Sequence, residues 1–164
     1  LLMGMRFTKM SAQSMMLIFI LFSALMGISL STIFLRYSLG TIYTTFGVTS
    51  LTFAVMAIVG YTTKTDLTKF GSIMMMGLFG IIIAMVVNMF MQNPMLDYII
   101  SIIGVLVFTG LIAYDMQKLK RIGMGVEYGT QNESKLALMG ALSLYLDFIN
   151  LFLFLLRIFG GNRN

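Results

Sequence analysis

Apolar residues run through this chain in long unbroken stretches. Uncharged windows cover 15–35, 41–61, 70–91 and 98–114, and a fifth, 136–156, is interrupted only by Asp147. A helix needs about 20 residues to cross the ~30 Å hydrocarbon layer. Four windows reach that length outright, and the 98–114 window reaches it once its flanking Pro94 and Gln117 are included. The pattern predicts an all-α integral membrane protein with five transmembrane helices, at about 15–35, 41–61, 70–91, 95–117 and 136–158. Together they make one transmembrane domain over 1–164.

The polar punctuation fits these limits. Asn93-Pro94 offers a capping side chain followed by a proline suited to the first helical position. Asp66 and Asn132 can cap the third and fifth helices. The stretch 123–134 holds Gly, Glu, Thr and Asn without an apolar run, so it reads as the longest connection. Within the bilayer, small residues at i, i+4 spacing let helices approach closely. Ser23, Gly27 and Ser31 offer such a face on the first helix, and Gly77, Gly80 and Ala84 offer one on the third. The 17 methionines read as soft packing groups. Residues 1–5 resemble the tail of an apolar helix, and the chain is expected to lack residues upstream.

Composition narrows the chemistry. Charged residues make up 10% of the chain and apolar ones 59%, with a mean hydropathy of +0.94; soluble domains carry about 25% charged residues. There is no Cys, His or Trp. Thiolate and imidazole metal sites, disulfides, thiol nucleophiles and Ser-His-Asp hydrolysis are excluded, and any metal must be bound by oxygen. No resident cofactor and no enzymatic activity are expected.

The net charge of +5 is topological. Arg6, Lys9, Lys64, Lys69, Lys118, Lys120, Arg121 and Lys135 fall on one side of the predicted helices, and Arg36, Arg157 and Arg163 on the other. Positive residues gather in short cytoplasmic loops. The amino end and the 117–135 connection are therefore expected in the cytoplasm and the carboxyl end outside, in a multi-pass plasma or inner membrane protein. The lipid bilayer is the expected partner, and nucleic acid is not.

Two acids stand out. An ionisable side chain inside the bilayer costs at least about 2.5–3.5 kcal/mol and by default marks an ion path, a proton relay or a catalytic site. Asp147 lies about 16 Å along the predicted fifth helix, near the midplane. Ser143, Asn150, Phe154 and Arg157 share its face, and that stripe must meet protein or water. Asp115 lies near the cytoplasmic end of the fourth helix, which runs antiparallel to the fifth, so the two carboxyls can meet in one pocket. Two like charges in a low dielectric cannot both ionise cheaply, and one proton would be shared. Such a pair senses pH. Fully ionised, it offers a weak Ca²⁺ site, because two carboxylates supply at most four of the six to eight oxygens the ion takes. Ser143 and Asn150 are candidates to complete the shell. The alternative is a structural hydrogen-bonded pair that holds the bundle together.

Three segments carry a resemblance. Ala141-Leu-Ser-Leu-Tyr-Leu-Asp-Phe-Ile-Asn-Leu-Phe-Leu-Phe-Leu-Leu-Arg-Ile-Phe-Gly160, Gly60-Tyr-Thr-Thr-Lys-Thr-Asp-Leu67 and Thr109-Gly-Leu-Ile-Ala-Tyr-Asp-Met-Gln-Lys-Leu-Lys120 resemble the bacterial branch of the Bax inhibitor-1 family. The resemblance implies a seven-helix membrane bundle with its last helix central, of which this chain would lack the first helix and most of the second. It also implies a pH-sensitive calcium leak gated by two aspartates that match Asp115 and Asp147. An arginine that latches the closed pore would fall at Arg6; an interfacial positive anchor is the other role open to that residue.

Two further readings stay in play. One is a non-conducting regulator of a membrane protease or of a stress response, with the long fourth connection or the Phe-rich fifth helix as its surface. The other is an intramembrane aspartyl protease, which also places two aspartates on consecutive helices, one of them in a Tyr-Asp pair like Tyr114-Asp115. Against it, Asp147 follows Leu144-Tyr145-Leu146 and not Gly-x-Gly, and no Pro-Ala-Leu element exists because Pro94 is the one proline.

Overall fold

The structure, a computed structural model, describes residues 9–125 and 129–161, except for the side chain of Gln131. Six helices follow one another: α1 (Ala12–Leu30), α2 (Ile33–Arg36), α3 (Leu39–Thr62), α4 (Thr68–Met91), α5 (Pro94–Met124) and α6 (Gln131–Gly160). With α1 and α2 taken together, five stretches are long and apolar enough to cross a membrane. The first predicted helix is thus interrupted near its end. There Ser31 Oγ donates to Ile28 O at 2.6 Å and Thr32 Oγ1 to Ser29 O at 2.9 Å, local bonds that compete with a continuing helix.

Side chains mark the helix starts. Ser11, Ser38, Asn93 and Thr130 each accept a bond from a backbone N–H of the first turn. Asn93 takes two, from Met95 and Leu96, and Pro94 is the first helical residue. Asp66 serves α4 from one position further back: Leu67 is the cap residue, and Asp66 Oδ1 accepts from both the N–H (2.9 Å) and the hydroxyl (2.6 Å) of Thr68. The cap expected at Asn132 is instead Thr130. Its hydroxyl takes the Glu133 N–H at 3.2 Å, while the Glu133 carboxylate accepts from Gly129 N, one residue before the N–H that a capping box would use.

The two longest helices overrun their predicted limits. α5 continues seven residues past 117 and α6 begins five before 136, so the 123–134 connection shrinks to a short link. Hydropathy measures the bilayer, whereas Lys, Arg, Leu and Met favour helix on either side of its surface. At 1.5 Å per residue α5 is about 46 Å long, well beyond a ~30 Å hydrocarbon core.

α5 and α6 pack side by side, with α3 against both, α4 against α5 and α1 against α6. The largest core cluster joins Ile81 of α4, Ile100, Val107, Phe108, Leu111 and Ile112 of α5, and Leu151, Phe154 and Leu155 of α6. A smaller one joins Ile42 of α3 to Phe152 and Leu156. Phe108 and Phe154 stack at 5.8 Å between centroids and 26° between planes, worth about 0.5–1.5 kcal/mol. The small-residue faces differ from those expected. Gly27 and Gly80 face open space, and Gly77 makes one contact with Val107. Close approaches include Gly60, whose missing Cβ leaves room for the Ala113 backbone, Gly104, which seats the Phe154 ring, and Gly140, which seats Leu119. The spacing shows where a backbone can be approached, and only the tertiary neighbours decide where it is.

Candidate functional site

The register of α5 against α6 brings the two acids together. Leu119 packs on Gly140 and Phe154 on Gly104, so the helices run antiparallel with Asp115 about one turn from the level of Asp147. Both carboxyls line a cavity of about 550 Å³ between α4, α5 and α6. Asp115 is half-buried and Asp147 is 5% exposed. Among the described residues, Asp115 is the charged neighbour acting on Asp147. Asp147 Oδ2 is buried without a hydrogen-bond partner among them, an arrangement that costs at least about 1–3 kcal/mol.

The rest of the expected stripe lines the same cavity: Ser143, Asn150, Phe154 and Arg157 all contribute to its wall. Asn150 Nδ2 donates to Leu146 O of its own helix at 2.8 Å, which leaves its amide oxygen as an acceptor. Met75, Ile82 and Met85 of α4 supply an apolar wall that the sequence did not assign to the site. No cluster of three or more acidic, His or Cys side chains occurs among the described residues. The carboxyl pair would therefore depend on neutral oxygens to hold Ca²⁺. Arg6 lies outside the described residues.

Two polar devices flank the pair, and the sequence reading missed both. At one end Arg157 Nη1 lies 3.5 Å from Asp97 Oδ1 and 5.6 Å from the Phe154 ring centre. Asp97 is in the first turn of α5 and Arg157 in the last turn of α6, and that placement on antiparallel neighbours was the available signal. At the other end α5 grips the α3–α4 loop. Gln117, 5% exposed, accepts from Leu67 N at 2.9 Å and donates to Thr65 O at 2.7 Å. Arg121 Nη2 donates to Gln117 Oε1 and to Asp66 Oδ1, both at 3.0 Å. Lys120 Nζ donates to Tyr61 O at 2.7 Å, near the carboxyl end of α3. The Thr68 hydroxyl and N–H, and then Arg121, hold the Asp66 carboxyl down to about 2 from its ordinary 3.8.

The family profile described as Inhibitor of apoptosis-promoting Bax1 matches residues 1–164. A protein of Borreliella burgdorferi is 50% identical over 156 residues, which is 95% of this chain and 67% of that protein. The inner membrane protein YbhL of Escherichia coli K12 is 49% identical over 156 residues, 94% of this chain and 67% of YbhL. A membrane protein of Streptococcus pyogenes serotype M6 is 42% identical over 145 residues, 88% of this chain and 62% of its own length.

Proposed function

This chain belongs to the Bax inhibitor-1 family, and from that premise we propose that it forms the core of a pH-sensitive Ca²⁺ leak pathway in the cell membrane, gated by Asp115 and Asp147. The observation that carries this reading is the Asp147 carboxyl, buried beside Asp115 in one cavity with an oxygen left unpaired. An unpaired buried acceptor is destabilising unless something else uses it, and a proton or a cation answers that need.

Ionised, the pair presents hard oxygens to Ca²⁺, with the Asn150 amide oxygen, the Ser143 hydroxyl and water to complete the shell. Two carboxylates make a weak site, which suits passage better than storage. Protonated once, the pair shares the hydrogen and its pull on a cation drops. Arg6 would pair with the ionised aspartates and hold the path closed, and acidification would release it. On this reading the protein is not an enzyme, and Ca²⁺ and H⁺ are its ligands.

Ca²⁺ efflux from proteoliposomes, followed against pH with Asp115→Asn and Asp147→Asn beside the parent, tests the reading. Flux that rises with acidification and loses its pH dependence in either variant supports it. Flux indifferent to both substitutions sinks it. A pure protein that conducts nothing, yet co-purifies with a stoichiometric membrane protease, moves the assignment to the regulator reading.

A further inference from the structure

A second cavity, of about 250 Å³, opens beside the grip that α5 has on the α3–α4 loop. Thr68, Tyr114, Gln117, Lys118, Arg121 and Ile122 line it. That volume falls below the ~300–1,000 Å³ of a drug-sized ligand pocket and suits a small charged group. Tyr114, Gln117, Lys118 and Arg121 fall at i, i+3, i+4 and i+7 on one face of α5. Counted from Pro94, Lys118 lies about 36 Å along the helix, just past a ~30 Å hydrocarbon core, at the depth of lipid phosphates.

Charge selects the occupant. Lys64, Lys69, Lys118, Lys120 and Arg121 cluster around this end of α4 and α5; of the carboxylates described on these elements and their loop, Asp66 pairs with Arg121 and Asp115 lines the other cavity. Lys118 is exposed and makes no hydrogen bond or ion pair among the described residues. Arg121 is committed on one edge to Asp66 and Gln117, yet its side chain is half-exposed. The apolar lining by Tyr114 and Ile122 fits the glycerol and upper acyl carbons of a molecule anchored in the bilayer. Basic pockets between helices at a membrane surface recognise anionic headgroups in this way. We propose that this cavity seats the phosphodiester headgroup of an anionic glycerophospholipid, with Lys118 and Arg121 as its cationic contacts and the Thr68 hydroxyl beside them.

Native mass spectrometry of the purified protein released from micelles tests the site, with phosphatidylglycerol, phosphatidylcholine of the same acyl chains, and inorganic phosphate as probes. The expected result is retained phosphatidylglycerol and little phosphatidylcholine, whose choline the basic cluster repels. Lys118→Gln should lower retention about fivefold, the weight of one cation at a membrane surface. Asp66→Asn, which keeps a capping side chain and removes the competing anion, should raise it. Arg36→Gln, at the far end of the helices, should leave it unchanged. Equal retention of both lipids, an equal loss in Arg36→Gln, or no change in Lys118→Gln would overturn the proposal. Displacement of the lipid by an equal concentration of inorganic phosphate would overturn the lipid assignment in favour of a free anion.

Discussion

The ring of Phe154 rests directly on Gly104, where an added Cβ would stand 2.8 Å from three of its ring carbons. The same ring stacks on Phe108 and walls the cavity that holds Asp115 and Asp147. Gly104→Ala must therefore push Phe154 off its seat. Overpacking of this kind costs about 1–3 kcal/mol, to be read as a lower thermal midpoint in detergent, with altered flux through the neighbouring cavity. An unchanged midpoint would show that the ring has room to yield.

Replacing the buried acid by a hydrocarbon of similar size should separate stability from activity. Asp147→Leu removes an unpaired carboxyl oxygen, and the surroundings already include Phe108, Leu111 and Leu153. Folding stability should rise by about 1–3 kcal/mol while Ca²⁺ flux is lost. A structural role for the carboxyl predicts the reverse, a lower midpoint in the thermal melt.

Gln117→Ala should release the α3–α4 loop. It strands Leu67 N and Thr65 O and takes a partner from Arg121. Loss of the two loop contacts is worth about 1–3 kcal/mol, and limited proteolysis should cut between 62 and 68 faster than in the parent. A digestion pattern indistinguishable from the parent's would mean the loop holds its place without the amide.

Asp66 sets a limit on where pH sensing can arise. Its carboxyl is held at about 2, below the ordinary 3.8. A lowered value of this kind contributes stability that is fully present above 3.8 and lost as pH falls through about 2. Between about pH 5 and pH 8 Asp66 does not titrate. Asp66→Asn should therefore leave the midpoint of any pH-dependent flux in that range where it was. A displaced midpoint would place part of the sensor in the loop.

The bilayer-scale features were legible in the sequence because one dominant force writes them. Five apolar spans, the Asn93-Pro94 start of α5 and the Ser143, Asp147, Asn150 and Arg157 face of α6 follow from hydrophobicity and helical periodicity alone. Features that depend on a partner far along the chain were not. Gln117 meets a loop about fifty residues earlier, and its spacing announces nothing of that contact. The face of Ser23, Gly27 and Ser31 has the right spacing for close packing, yet Gly27 faces open space while glycines such as Gly60, Gly104 and Gly140 are closely approached. The Thr-x-x-Glu pattern of Thr130 and Glu133 could have been read ahead of Asn132, since Thr130 takes the Glu133 N–H and the Glu133 carboxylate reaches back to Gly129 N.

The stretch of α5 from Leu111 to Ile122 contains neither glycine nor proline, so it has no natural hinge. Asp115 and the basic end of the helix are two stations on one stiff rod, less than two turns apart. A displacement of that rod at the membrane surface would carry Asp115 with it, with no moving loop in between.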